Sequence, residues 1–267
     1  MSRPSKPGAW AIAAAVVIAV TTAAAVATVR TPMVLLPGGY YQPFFQSSPG
    51  KGKTPVASLP VRIAAFRLET FPVTNGQFLD FVRQYPEWRK SQVKPIFADH
   101  QYLAKWRGDL ELAGAHAASE PVTNVSWFAA QAYCEVRGLR LPTTEQWEYA
   151  LADQGRNRNG IVQQSLQWFG SPNPAHFRGV GHDEANGFGI HDMVGLVWEW
   201  TLDHDSFMTG TEQRNTSGKD DAAFCGGGST GVSDATDYPA FMRYALRTSL
   251  KAAYTVQNVG FRCAGEQ

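Results

Sequence analysis

PVTNVSWFAAQAYCEVRGLRLPTTEQWEYA, residues 121–150, contains two helix starts on either side of one glycine. Ser126 stands before WFAAQAYCEVR, where its hydroxyl can accept from the first free backbone N–H groups. Gly138 follows that run, at the place where a chain leaving a helix most easily turns left-handed. Thr143 and Gln146 then stand three apart, the spacing of a reciprocal capping box, so a second helix is expected from Thr144 to Ala152. The LRLP between them leaves no room for another element. This stretch alone implies short capped helices joined by tight, irregular chain.

The same reading extends outward. Thr74 and Gln77 repeat the capping-box spacing, and Phe78, Phe81 and Val82 give the following helix an apolar face. VRIAAFRLETFPV (61–73) alternates like a strand running into a turn. MVLLPGGYYQPFF (33–45) reads as strand, Pro-Gly-Gly turn and aromatic run. Residues 87–120 are weakly periodic and read as loop with short elements. Beyond Ala152, Gly, Asn, Asp and Pro interrupt every apolar run, and no long helix is expected. No repeat is present, and residues 47–60 are the nearest thing to a linker. One domain over residues 31–267 accounts for this pattern.

Residues 1–30 are of another kind. Arg3 and Lys6 precede an uncharged apolar run from Gly8 to Val29. That is about the ~20 residues a bilayer-spanning helix needs. Its basic flank belongs on the cytoplasmic side. The expectation is a membrane contact through residues 8–29. The remainder would be periplasmic or otherwise extracytoplasmic, anchored to the inner membrane by an N-terminal helix. Ala25-Val26-Ala27 leaves a cleaved signal peptide as the alternative. The net charge of +1 and the absence of basic runs give no reason to expect nucleic acid. The three cysteines, Cys134, Cys225 and Cys263, permit three pairings in an oxidising compartment, and no CxxC or Cys/His spacing supports zinc.

Four phrases occur in a telling order: residues 121–150, NGFGIHDMVGLVWEWTLD (186–203), the GGS of 227–229 and GFRCA (260–264). Together they resemble the formylglycine-generating enzyme family, the sulfatase-modifying factors. ETFPVTNGQFLDFV and MVLLPGG fit its N-terminal part, so the likeness spans roughly residues 33–265. The resemblance implies an α+β architecture, a variant of the C-type-lectin-like fold that is poor in regular secondary structure. It also implies a disulfide between Cys134 and Cys263, for which two buried free thiols are the alternative. Family enzymes oxidise a client cysteine to formylglycine with oxygen and a copper ion held by two cysteines, five apart, shortly after the GGS. Here that stretch reads STGVSDATDYPAFMR (229–243) and contains no cysteine. Thiolates select Cu(I), and the carboxylates of Asp234 and Asp237 are too hard to replace them. Copper is therefore not expected. Cys225 precedes the glycines and does not take the position of either copper ligand.

The resemblance further implies a structural calcium at HDMVGLVWEW, through Asp192, the carbonyls of Gly195 and Val197, and Glu199. Such hard oxygens suit that ion. The alternative is that Glu199 is a surface carboxylate beside buried tryptophans. Of a second family calcium site upstream, Asn173 is the sole matching residue. Ser229, Asp234, Asp237, Tyr238, Arg243 and Arg247 are the cleft candidates. The arginines can orient a carboxylate or phenolate, or clamp loop carbonyls internally. Asp203-His204-Asp205 and His182-Asp183-Glu184 read as solvated turns sooner than as metal ligands. No nucleophile–base–acid set emerges from spacing. Some relatives lack the cysteine pair and act in siderophore maturation or accompany copper nitrite reductase in denitrifiers. By resemblance the chain is expected to serve an extracytoplasmic redox enzyme or a small chromophore as accessory or maturation factor. A lectin-like module that holds a client polypeptide, or residual oxidation through Cys225, are the alternatives.

Overall fold

The computed structural model describes residues 31–42, 60–153, 158–203 and 249–267. β1 (Met33–Leu36) pairs antiparallel with β4 (Phe66–Glu69), which pairs on its other edge with the C-terminal strand β7 (Ala264–Glu266). The two ends of the domain therefore meet in one sheet, with Leu68 opposite both Val34 and Ala264. The Pro-Gly-Gly turn after β1 leads into β2 (Gly39–Tyr41), which pairs with β3 (Val61–Ile63). A third pairing, parallel and two residues long, joins β5 (Trp198–Glu199) to β6 (Val259–Gly260).

The helices begin where the local sequence dictates. Thr74 accepts from the Gln77 backbone N–H while the Gln77 side chain accepts from the Thr74 backbone, which opens α1 (Asn75–Gln84). Ser126 opens α2 (Trp127–Glu135), and Gly138 beyond its end has φ +69°. Thr143 and Gln146 form a second reciprocal box at the start of α3 (Thr144–Ala152). Each box satisfies two backbone donors that a helix terminus otherwise leaves open.

The expectation of no long helix after Ala152 is corrected by α4 (Arg158–Phe169). Ile161, Val162, Ser165 and Leu166 recur at helical spacing, and Ser165 donates back to the Ile161 carbonyl. At its end, Trp168 and Phe169 both meet Trp198, with ring centroids 4.8 and 5.1 Å apart. The Asn159-Gly160 start masks this pattern in the sequence. Ring burial against β5 is contributed by a distant element.

Two large apolar clusters and a small third one fill the interior among the described residues. The largest gathers Phe78, Phe81, Tyr133, Trp106, Leu141, Trp200 and Phe261 between α1 and α2. Phe78 stacks on Tyr133 at 5.8 Å and meets Phe261 edge-on at 6.1 Å, orientations the ring quadrupoles favour. The second gathers Leu36, Phe66, Leu68, Trp147, Tyr149 and Ile190 beneath α3. The structure joins Cys134 of α2 to Cys263 beside β7, 129 residues apart. Gly260 lies so near the Val122 carbonyl that a Cβ there would stand 2.7 Å from its oxygen, so a side chain would push β6 away. Among the described residues no helix is long and apolar enough to cross a membrane. Residues 8–29 lie outside the described residues.

Candidate functional site

The segment 177–199 approaches the core in two places, and an arginine holds each. The deeper one is Arg262, fully buried between Phe261 and Cys263. Its Nε donates to both oxygens of Glu199, at 3.1 and 2.8 Å. Its Nη2 donates to Glu199 Oε1 at 2.8 Å and to the His191 carbonyl at 3.0 Å. Its Nη1 donates to the carbonyls of Glu69 and Thr70 at 3.2 and 3.3 Å. All five N–H groups are thus accounted for, the condition under which a buried guanidinium is tolerable. Trp147 Nε1 completes the carboxylate, donating to Glu199 Oε2 at 2.7 Å. Glu199 is not the surface carboxylate offered as its alternative reading, since its side chain is fully buried. The β5–β6 pairing and the packing of α3 bring it there.

A second buried carboxylate adjoins the disulfide. Glu69 accepts from Arg137 Nη1 at 2.7 Å and from the Cys263 backbone N–H at 2.8 Å. Burial pushes its carboxyl above the usual range, and the Arg137 guanidinium pulls it partly back.

The shallower place is a corner formed by residues 178–195. Asp192 has φ +55° and is buried, with Oδ2 accepting from the Gly181 N–H. Its Oδ1 is buried without a hydrogen bond among the described residues and lies 3.6 Å from Arg178 Nη2. The same Nη2 pairs with Asp183, and Nη1 donates to the Gly195 carbonyl at 3.3 Å. His191 ties the corner to the chain just past β4 by stacking on Phe71 at 4.9 Å, with Nδ1 2.7 Å from the Asp183 carbonyl. Next to it Lys105 Nζ stands 4.3 Å over the Phe177 ring, buried without a hydrogen bond among the described residues. Burial pushes that amine below its ordinary pKa, and Glu120 opposes the shift.

Of the four residues carried over for calcium, the structure brings Asp192 and Gly195 to one guanidinium, Arg178. It turns Glu199 toward another, Arg262. Val197 is buried next to Leu196 and Phe177. Both oxygens of Glu199 are filled by Arg262 and Trp147, so this set of four does not fit a calcium ion as arranged. Asn173 is exposed and its Oδ1 accepts from Asn258 at 3.2 Å. Asp203 accepts from the Thr144 backbone and hydroxyl, both at 2.8 Å, which reinforces the start of α3. His204, Asp205, Cys225 and the cleft candidates Ser229, Asp234, Asp237, Tyr238, Arg243 and Arg247 lie outside the described residues.

Sequence reasoning did not single out Arg262, Glu69, Arg137 or Arg178. A signal existed for Arg262, whose charge sits inside the apolar GFRCA phrase. None existed for Arg178.

This order of capped helices, the disulfide-bearing GFRCA segment between β6 and β7, and β5 paired beside it is paralleled at the level of the whole chain. Residues 20–267 match the family described as sulfatase-modifying factor enzyme 1-like domain. The chain belongs to that family. Its fold is accordingly the mixed α+β type of the formylglycine-generating enzymes. It is 32% identical over 217 residues to the inactive C-alpha-formylglycine-generating enzyme 2 of Bos taurus, covering 63% of this chain and 69% of that protein. It is 28% identical over 282 residues to the formylglycine-generating enzyme of Streptomyces coelicolor, covering 87% and 88%. The solved structure of PvdO from Pseudomonas aeruginosa superposes with a TM-score of 0.49 at 18% identity, covering 88% of this chain and 94% of that one.

Proposed function

We propose that this family member has given up copper-dependent formylglycine formation. In its place it acts outside the cytoplasm as an accessory or maturation factor. The observation that carries the reading is the cysteine count. The chain has three cysteines, and Cys134 and Cys263 are bonded to each other. Cys225 alone is left, and one thiolate cannot make the paired grip that Cu(I) takes in the family. The similarity to a relative named inactive agrees with this. A disulfide suits an oxidising compartment, and the uncharged run from Gly8 to Val29 suits an anchor or signal that delivers the domain there.

The glycine-rich segment 226–247 is where the family places its chemistry. In this chain it offers Ser229, Asp234, Asp237, Tyr238, Arg243 and Arg247 in place of thiols. Two guanidinium groups with two carboxylates and a phenol are equipped to bind and orient. They suit a client polypeptide of an extracytoplasmic redox enzyme such as copper nitrite reductase, or a small phenolic or carboxylate-bearing chromophore.

The test has two arms. A sulfatase peptide carrying the target cysteine is co-expressed with the full chain and weighed by mass spectrometry. The thiol is expected intact, and conversion to an aldehyde with loss of sulfur overturns the reading. The purified chain is then incubated aerobically with nitrite reductase polypeptide or chromophore precursor. Conversion lost in Asp234→Asn or Tyr238→Phe supports a catalytic factor, whereas capture without conversion assigns the cleft to holding the client.

A further inference from the structure

We propose that the guanidinium of Arg178 is the resident cation of the Asp192–Gly195 corner, so that this chain is stabilised there by its own side chain and not by a divalent metal ion. The corner presents what a hard cation seeks: the carboxylates of Asp183 and Asp192 and the carbonyl of Gly195. Arg178 reaches all three. Nη2 pairs with Asp183 and points at Asp192 Oδ1 from 3.6 Å, and Nη1 donates to the Gly195 carbonyl at 3.3 Å.

Three observations favour the guanidinium over a metal. Calcium needs about 6–8 oxygens in its shell, and the carboxylate that would close the set, Glu199, has both oxygens committed to Arg262 and Trp147. Among the described residues no three acidic, histidine or cysteine side chains converge to hold a metal ion. Any divalent ion entering would also meet the positive charge of Arg178 at ion-pair distance, and the two repel.

The loop geometry needs some cation. Asp192 is held in the left-handed region and its side chain is wholly buried. A buried carboxylate oxygen without a hydrogen bond is costly unless a positive charge stands near it. Arg178 supplies that charge from the segment directly upstream, with its side chain 37% exposed. Removing it leaves two carboxylates and a carbonyl facing an open corner, which is the beginning of a divalent-cation site.

Thermal unfolding of the purified full chain in EDTA and in about 10 mM calcium, a concentration that saturates even weak extracellular sites, tests this. The wild type is expected to melt at the same temperature in both. Arg178→Ala is expected to melt lower in EDTA and to regain part of the loss in calcium. The double variant Arg178→Ala/Asp192→Ala is expected to lose that recovery, because alanine leaves no side-chain oxygen there. Should Arg178→Ala not fold, Arg178→Gln takes its place, and the wild-type comparison decides. A wild-type rise of about 3 °C or more in calcium that disappears in Asp192→Ala overturns the proposal, because a metal then occupies the corner. A wild-type rise that survives in Asp192→Ala comes from a site elsewhere in the chain and leaves Arg178 as the cation of this corner.

Discussion

Arg262 and Arg178 hold the same segment at adjacent residues: Arg262 takes the carbonyl of His191, and Arg178 faces the carboxylate of Asp192. Their settings differ. Arg262 is 0% exposed and every donor has an acceptor, including a doubly contacted carboxylate. Arg178 is partly in water, and one oxygen of its buried partner has no hydrogen bond among the described residues. The difference separates two uses of one residue type. A sealed, saturated guanidinium locks β5, β6 and the Glu69–Thr70 turn to each other. A half-exposed one neutralises a loop and can be exchanged for another cation.

The comparison breaks most sharply at Arg262. Arg262→Ala leaves the Glu199 carboxylate buried without its cation, which costs about 3–5 kcal/mol. Urea unfolding at neutral pH should register this as a lower midpoint or a failure to fold. Arg262→Lys should recover little, because an ammonium cannot reproduce the planar fork. A loss under about 1 kcal/mol, the range of an exposed pair, would put the two arginines in the same class.

Glu199→Gln probes the same lock more gently. It keeps the shape and an oxygen for Trp147 or Arg262, while removing the charge that faces the guanidinium. The expected loss is about 1.5–3 kcal/mol, the range of a hydrogen bond to a charged group. Measured beside Arg262→Ala and the double variant, it gives the coupling energy of the pair. Additive losses would deny that the two side chains act together.

The smallest effect is expected from salt. At about 1 M ionic strength the screening length falls to ~3 Å for exposed charges, while a buried pair is screened much less. The stability difference between wild type and Arg178→Gln should therefore shrink as sodium chloride is added, and that for Arg262→Lys should persist. Equal salt dependence would remove the distinction between the two sites.

Much of the local structure was legible in the residues because it is made by near neighbours. Thr74 with Gln77, Thr143 with Gln146 and Ser126 with Ala129 each close a hydrogen bond three residues along the chain. Such contacts form whatever the rest of the molecule does. α4 was missed for the complementary reason, since its Asn-Gly start breaks the pattern and its closing rings are anchored by Trp198, which arrives from another element. Glu199 shows the limit within the candidate site. Its neighbours in sequence allow a surface carboxylate or a metal ligand, yet it faces an arginine 63 residues away.

By itself, then, the amino-acid sequence determined where three helices begin, that three cysteines exist and none lies in residues 229–243, and that an uncharged run precedes the domain. Those features depend on composition or on contacts between residues a few positions apart. The tertiary structure alone decided which cysteine meets which among three possible pairings, and which arginine neutralises Glu199 and which Asp192. These choices are made by desolvation and charge compensation between segments that only the folded backbone brings together. A buried charge can be matched by any cation the fold delivers, and its own position in the chain does not say which.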